Sequence, residues 1–236
     1  MEIIIDKRIE LMAVIQTIDH YWDNLSLQFT NEKLLQCKYK ENIYDYFKDY
    51  ENHETIKLYK KLCNTQDISF FINLVLCYSN LPELNPIADP EHNLKSIFEP
   101  DFPYEKFING VKQFYEDTNF EYFFKNSQHE YEKLLNDYRH RNEVEKYIII
   151  IDNYLESDTK NYTIIISALL MGNFGIGILT NENIKFNYSI ISPYDYKDDK
   201  YIFGSELFIK GLLWHEISHL TINDLTKKYI NQCNVY

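Results

Sequence analysis

The composition of this 236-residue chain excludes several classes of protein before any motif is considered. Apolar residues make up 45% and charged residues 25%, which is typical of a folded globular protein and not of a disordered one. The net charge of -12 disfavours a nucleic-acid partner, whose phosphates require clustered Lys and Arg. No apolar run reaches the ~18 residues of a membrane-spanning helix. Since the sequence as written opens with no secretory leader, we expect a cytoplasmic protein with neither nucleic acid nor a membrane as partner.

Four cysteines lie far apart in the chain, at Cys37, Cys63, Cys77 and Cys233. No two of them form a CxxC pair, so the spacing excludes a structural zinc site of the finger or ribbon type. A disulfide between two of them is an alternative that nothing in the sequence requires, and we expect free thiols, as in a reducing compartment.

Residues 1–160 are predicted to be mainly helical. Apolar residues recur at spacings of three and four, the pattern of one buried helical face, in Arg8–Trp22, Ile43–Tyr50, Ile56–Cys63, Tyr104–Glu116 and Phe120–Tyr138. The segment Asp67–Tyr78 is apolar on nearly all sides, which predicts a central buried helix. Between these blocks, Leu81–Pro103 holds five of the six prolines. It is therefore predicted to be an irregular crossing, either a linker or a loop that lines a cleft.

The segment Glu143–Glu156 allows two interpretations. Four consecutive isoleucines, at positions 148–151, favour a strand by propensity. The apolar residues of the whole segment nevertheless fit helical spacing, and we predict a helix.

Residues 161–236 are predicted to form strands followed by the last helix. The β-branched run Tyr162–Leu170, the segment Gly175–Thr180 and the alternating segment Ile184–Ile191 are typical of strands. The polar run Asp195–Lys200 ends this block, and a helix is predicted from about Ser205 to about Tyr229. The chain is thus expected to have an α+β fold, as one continuous unit with a helix-rich N-terminal portion packed on a small sheet.

The most specific chemical signal is HEISH, residues 215–219, within that last helix. His215 and His219 lie four residues apart on one helical face, so both imidazoles can reach one zinc ion at the ~2.0–2.1 Å that zinc requires. Glu216 points past the metal and can take a proton from a water whose pKa the ion lowers towards ~7. The motif therefore predicts Zn²⁺ as cofactor and attack by hydroxide on a peptide carbonyl.

The alternative is an ordinary buried helix whose histidines bond backbone or carboxylate partners. The zinc interpretation is favoured because the motif is rare by chance in a chain with seven histidines. Asn223, four residues after His219, shares the ligand face; it either orients a group behind the ligands or caps and packs the helix. The residues that precede the motif are largely apolar, and this predicts that the helix is central and largely buried. These apolar residues are Leu207, Phe208, Leu212 and Leu213.

The sequence resembles the glutamate-type zincin-like metallopeptidases, and most closely a bacterial family of uncharacterised proteins classed as a domain of unknown function. Three stretches carry this resemblance over most of the chain: DKRIELMAVIQ, IIISALLMGNFGIGI and HEISHLTIN. It implies a metal helix behind the sheet, His215 and His219 as zinc ligands, and Glu216 as general base. It also implies a peptide or protein substrate that pairs with an edge strand, for which Ile164–Leu170 and Gly175–Thr180 are the candidates.

One part of the glutamate-type pattern is missing, because no Glu follows Glu216 and no His follows His219. Asp224, the remaining acidic residue, lies off the ligand face. The favoured interpretation is that the third metal ligand lies beyond Tyr236 in a longer protein. It could instead come from upstream, or the site could be inactive. The upstream candidates are Asp195, Asp198, Asp199, Glu206 and His129.

The sequence thus predicts a zinc-dependent metallopeptidase that hydrolyses peptide bonds through a metal-activated water. The alternative is a catalytically inactive module of the same fold that binds peptides or another protein. The two differ in what Glu216→Gln should do, since only the enzyme depends on that carboxylate.

Overall fold

The computed structural model describes residues 2–19, 37–63, 67–94, 102–139, 144–155, 162–170 and 172–218. Within them the fold is α+β, as the sequence predicts, with helices around a small mixed sheet. The helices that precede the strand-rich block are α1 (Lys7–Ile18), α2 (Lys38–Phe47) with a 3-10 turn at Lys48–Tyr50, α3 (Glu54–Leu62), α4 (Ile68–Leu76), α5 (Pro90–Asn93), α6 (Tyr104–Asp117), α7 (Phe120–Asn126), α8 (Gln128–Arg139) and α9 (Val144–Leu155). No helix of these described ranges is long and apolar enough to cross a membrane.

The main sheet has four strands in the order β1-β2-β4-β3. Strands β1, β2 and β4 run parallel, whereas β3 runs antiparallel to β4 at one edge. A separate hairpin of β5 and β6 follows, and then a helix, α10, over residues 206–218. The strands are β1 (Glu2–Ile4), β2 (Tyr162–Ile166), β3 (Phe174–Leu179), β4 (Lys185–Ile191), β5 (Asp195–Lys197) and β6 (Lys200–Ile202).

The two faces of the sheet pack against different helices. One face meets α1, because Ser167 at the end of β2 donates a hydrogen bond to Glu10 of α1 at 2.6 Å. The opposite face carries Ile164, Ser189 and Gly175 side by side on β2, β4 and β3. Since Gly175 contacts Glu216 of α10, the motif helix covers that second face. The sheet therefore lies between α1 and α10.

Strand β1 was not predicted from the sequence. It pairs in parallel with β2, with Ile3 opposite Ile164, so the first residues of the chain belong to the same sheet as the strands of the C-terminal portion. The portions 1–160 and 161–236 consequently contribute strands to one sheet.

The helical predictions are confirmed over the described residues, with one predicted helix divided in two; positions 20–22 of the predicted helix Arg8–Trp22 lie outside the described residues. The segment around positions 148–151 is helical, and its isoleucines alternate between buried (Ile148, Ile151) and exposed, as a helix requires. The predicted helix Phe120–Tyr138 is divided at the buried Ser127, whose N–H bonds back to Phe123 while its carbonyl accepts the N–H groups of the next turn.

The polar run Asp195–Lys200 is not the end of the strand block but the hairpin of β5 and β6. Its turn residues Asp198 and Asp199 both have positive φ, at 51° and 59°. Aspartate tolerates this left-handed conformation, which two-residue hairpin turns require. Elsewhere the cysteines fulfil their expectation, since Cys37, Cys63 and Cys77 are free thiols; Cys233 lies outside the described residues.

Candidate catalytic helix and the adjoining strand edge

Helix α10 is two-sided. Ile209, Leu213 and Ile217, spaced by four residues, are buried and pack it onto the protein. On the outer side Leu207 and Phe208 are 79% and 51% exposed. The expectation of a central, largely buried helix is therefore wrong for this side, because the sheet covers only one face of the helix.

The two motif residues that the structure describes have different surroundings. His215 is exposed, whereas the adjacent Glu216 is only 6% exposed. Successive helical residues differ by about 100° around the axis, which accounts for the contrast. His219 and Asn223 lie outside the described residues, so their predicted roles remain predictions from the sequence.

The carboxylate of Glu216 lies against strand β3 at Gly175. A Cβ placed on Gly175 would be 2.5 Å from the backbone oxygen of Glu216 and 3.0 Å from its Oε2 atom. Real Cβ atoms do not approach a backbone oxygen so closely, so glycine is what permits this packing. The helix and the strand are thus in direct backbone contact at the predicted general base.

The structure also decides between the two candidate edge strands. Strand β2, which begins the candidate Ile164–Leu170, is wrong as an edge because it pairs with β1 on one side and β4 on the other. Strand β3, the candidate Gly175–Thr180, pairs with β4 only, among the described residues. The edge strand is therefore the one that carries Gly175 and touches Glu216.

The upstream candidates for a third metal ligand do not converge on His215. The carboxylate of Asp199 forms an ion pair with Lys133 at 2.5 Å, and that of Glu206 pairs with Lys210 at 2.7 Å on the outside of α10. His129 is exposed on α8. Within the ranges that the structure covers, no three His, Cys, Asp or Glu residues are grouped so as to hold a metal ion.

Comparison with known proteins identifies the family. Residues 1–236 match a family described as "Domain of unknown function (DUF4932)". The chain belongs to this family. No significant match was found among curated proteins or among solved structures. Because the family description states no activity, the function must be argued from the residues.

This DUF4932 chain also holds a buried polar network that its sequence did not reveal. The network starts in the stretch DKRIEL, where Asp6, Arg8 and Glu10 are all nearly inaccessible to solvent. Arg8 donates to both carboxylate oxygens of Asp6, at 3.0 Å from Nε and 2.6 Å from Nη2. Glu10 accepts from Ser167 at 2.6 Å and from Tyr39 at 2.8 Å. These bonds tie α1 to the end of β2 and to α2.

Burial dominates the electrostatics of Glu10 and raises its pKa to about 7, although the hydrogen bonds from Ser167 and Tyr39 act in the opposite direction. The network lies on the face of the sheet opposite α10, so it supports the scaffold and not the motif. The only sequence signal was the presence of Arg8, Glu10 and Gln16 inside an otherwise apolar helix.

A concave region of the DUF4932 chain lies between α3 and α6, away from α10. It encloses about 440 Å³ and is lined by His53, Lys57, Lys106 and Asp117, among others. His53 contacts Asp117 at 3.1 Å, and Lys57 contacts Glu54 at 2.9 Å. The lining carries side chains of both charge signs, and these two contacts give both of its acidic residues a basic partner.

Proposed function

We propose that this chain is a zinc-dependent metallopeptidase in which Glu216 is the general base and His215 and His219 are metal ligands. The observation that carries the proposal is the position of Glu216. Its carboxylate is buried against Gly175 on an edge strand, while the neighbouring His215 faces solvent. A base beside a sheet edge and an accessible imidazole beside the base are what hydrolysis of an extended peptide requires.

The described residues fit zinc in two respects. The helix is continuous through residues 206–218, so His215 is presented on a regular helical face, and its imidazole is accessible. When bound, zinc would lower the pKa of a water towards ~7 and polarise a carbonyl oxygen. The second ligand, His219, is taken from the HExxH spacing. No third ligand is assigned, because no upstream candidate groups with His215 among the described residues.

The chain's own groups account for the other steps. The main chain of an extended peptide would pair with the free edge of β3, which fixes the peptide next to Glu216. The Glu216 carboxylate would then accept a proton from the attacking water and return it to the leaving amine. Burial against β3 keeps this carboxylate in one position, which general base catalysis needs.

Substitution of Glu216 tests the proposal most directly. We expect Glu216→Gln to keep the zinc content of the protein while casein hydrolysis falls by about 10²–10⁴-fold, because only the proton acceptor is lost. His215→Ala should lower the zinc content as well. Metal analysis by mass spectrometry and a fluorescent casein assay measure the two effects.

Glu206→Gln is the matched control, since it makes the same chemical change on the outside of the same helix, where Glu206 pairs with Lys210. It should leave both zinc content and hydrolysis unchanged. Loss of zinc in this control would instead identify Glu206 as the upstream ligand.

The second candidate function is a peptide-binding module without catalysis. It is favoured by the edge of β3, which pairs with β4 only among the described residues and can accept an added strand. It predicts that the wild-type protein binds casein peptides without zinc and without cleaving them, and that Glu216→Gln binds them equally well. That combination of results would refute the peptidase.

A further inference from the structure

We infer that Asn93 determines how far a bound peptide can extend along β3, and thereby restricts cleavage to bonds near the amino end of a peptide. This inference rests on the proposed function for the reaction, but the part that concerns binding can be tested without it. It arises from three features: the hydrogen bonds of Asn93, the alternation of β3, and the position of Glu216.

The side chain of Asn93 occupies the place of a neighbouring strand at one end of β3. Its Oδ1 atom accepts the N–H of Leu179 at 2.8 Å, and its Nδ2 atom donates to the carbonyl of Leu179 at 3.0 Å. These are the two main-chain bonds that a paired strand residue would make. Nδ2 also donates to the carbonyl of Asp89 at 2.9 Å, which fixes the orientation of the amide.

The Pro-rich crossing holds Asn93 in this place. Asn93 is the last residue of α5, a short helix that starts with Pro90 and is capped by Asp89, whose side chain accepts the N–H of Glu91. One further bond from the crossing, between the N–H of Asn181 and the carbonyl of Ile87 at 2.9 Å, closes the edge just past Leu179. The crossing therefore lines the edge of the sheet at the carboxyl end of β3.

The rest of the β3 edge is open in the part of the chain that the structure describes. The N–H of Thr180 donates inward, to the carbonyl of Ile184 just before β4. The N–H of Leu179 instead donates outward, to Asn93. Because main-chain groups alternate along an antiparallel strand, Gly177 and Gly175 also direct their N–H and C=O groups outward. Neither glycine has a hydrogen-bond partner on that side among the described residues. The outward groups that an added strand can use are thus those of the two glycines.

The direction of the added strand follows from pairing energetics. Antiparallel pairing is slightly more stable per residue than parallel pairing, so we take the peptide to run opposite to β3. Its amino end then points towards Leu179 and meets Asn93. Among the described residues, the four positions opposite Gly175–Ile178 are open before that contact. Since Glu216 lies under Gly175, at the far end of this window, about four residues fit on the amino side of the bond to be cleaved.

The test compares Asn93→Ala with the wild type on tryptic peptides of denatured casein, with the cleaved positions read by mass spectrometry. For the wild type we expect amino-terminal fragments of up to about four residues. For Asn93→Ala we expect longer amino-terminal fragments as well, because the side chain that blocks the edge is gone. Asn73→Ala is the matched control; it removes an amide that bonds only within α4, to Ser69 at 2.8 Å, and should leave the fragment lengths unchanged.

Hydrogen exchange measured by NMR tests the binding part independently of cleavage, on the Glu216→Gln protein. Removal of Asn93 should speed exchange of the Leu179 amide about tenfold, as expected for the loss of two neutral hydrogen bonds. The same casein peptides should slow exchange of the Gly175 and Gly177 amides in the Glu216→Gln protein, both with and without Asn93→Ala. They should slow exchange of the Leu179 amide only in the protein that also carries Asn93→Ala. Asn93→Asp, which keeps the acceptor and loses the donor, provides a second variant if the alanine variant does not fold.

The outcomes separate this inference from the proposed function. If Leu179 loses its protection in Asn93→Ala while the fragment lengths stay the same, the inference is overturned and the peptidase stands. If no variant cleaves casein peptides, the peptidase fails, and exchange alone decides the binding part. In that case, lack of peptide-induced protection at Gly175 and Gly177 overturns the inference too.

Discussion

Glu10 is the residue whose ionisation most affects this fold, because it is wholly buried between α1, α2 and the end of β2. Burial raises its pKa to about 7 from an ordinary value of 4.5. The folded state therefore binds the proton more tightly than the unfolded state between these two values. The corresponding stabilisation is complete below pH 4.5 and is lost as the pH rises through 7. Above pH 7 the fold must hold a buried carboxylate that only Ser167, Tyr39 and nearby dipoles stabilise.

We expect Glu10→Gln to remove this dependence on pH. Relative to the wild type, its free energy of unfolding should rise by about 1–3 kcal/mol between pH 5 and pH 8, since glutamine has no charge to bury. Urea unfolding at the two pH values measures the difference. Glu132→Gln, an exposed position on α8, serves as control and should follow the wild type. Parallel curves for Glu10→Gln and the wild type would show that Glu10 is ionised in the folded protein over this range, as it is in the unfolded chain, and that burial does not raise its pKa.

At the scale of elements, the contact between α10 and β3 decides whether the motif can act. The backbone of Gly175 is so close to Glu216 that any side chain there must move the helix or the strand. Motif residues on a helix packed against a strand are held more precisely than residues on a loop. The position of Glu216 is therefore set by a glycine some forty positions earlier in the chain.

Gly175→Ala should thus reduce casein hydrolysis and lower the free energy of unfolding by about 1–3 kcal/mol, the usual cost of overpacking. Gly211→Ala is the matched control on α10, because a Cβ at Gly211 meets nothing within 4 Å. It should keep activity and stabilise the helix by about 0.5–1 kcal/mol, as alanine does in place of an interior glycine. Thermal unfolding and the casein assay report on both variants. Equal behaviour of the two would argue against the backbone contact.

At the scale of the whole molecule, the first strand and the C-terminal strands depend on each other. Strand β1 pairs with β2, which lies far from it in the sequence. On the side away from β2, the carbonyl of Ile3 accepts a hydrogen bond from Arg139. Since main-chain groups alternate along a strand, the N–H of Ile3 also faces away from β2, whereas that of Ile4 faces it. Proline at position 4 would therefore remove a hydrogen bond of the sheet, whereas proline at position 3 would remove an N–H that points away from β2.

We expect Ile4→Pro to lower the free energy of unfolding by about 3 kcal/mol, because it removes a ladder hydrogen bond. Ile3→Pro should cost clearly less, since proline is tolerated where the N–H points away from the sheet. Helical circular dichroism and tryptophan fluorescence should report one coincident transition in both variants, because the sheet joins the two portions of the chain. Separate transitions would mean that the helical portion folds without the sheet.

Features that depend on a local sequence pattern could be predicted without the structure. Helical periodicity predicts α9 in spite of its four isoleucines, and the structure bears this out: Ile148 and Ile151, three residues apart, are buried, whereas Ile149 and Ile150 between them are exposed. The concentration of prolines identified the crossing that carries Asn93. The spacing in HEISH identified the chemistry proposed for His215 and Glu216, since side-chain type and helical geometry are local properties.

Which of these features are in contact could be learned from the tertiary structure alone. Strand β1 is too short to be recognised alone, and it became a strand because β2 offered it a partner. The choice of β3 over β2 as the free edge depends on strand order, which local propensity does not encode. The contact of Gly175 with Glu216 and the bond of Asn93 to Leu179 join residues far apart in the chain. Such contacts follow from how the sheet and helices pack, so the sequence predicts Glu216 as general base, and the fold places the edge strand β3 beside that residue.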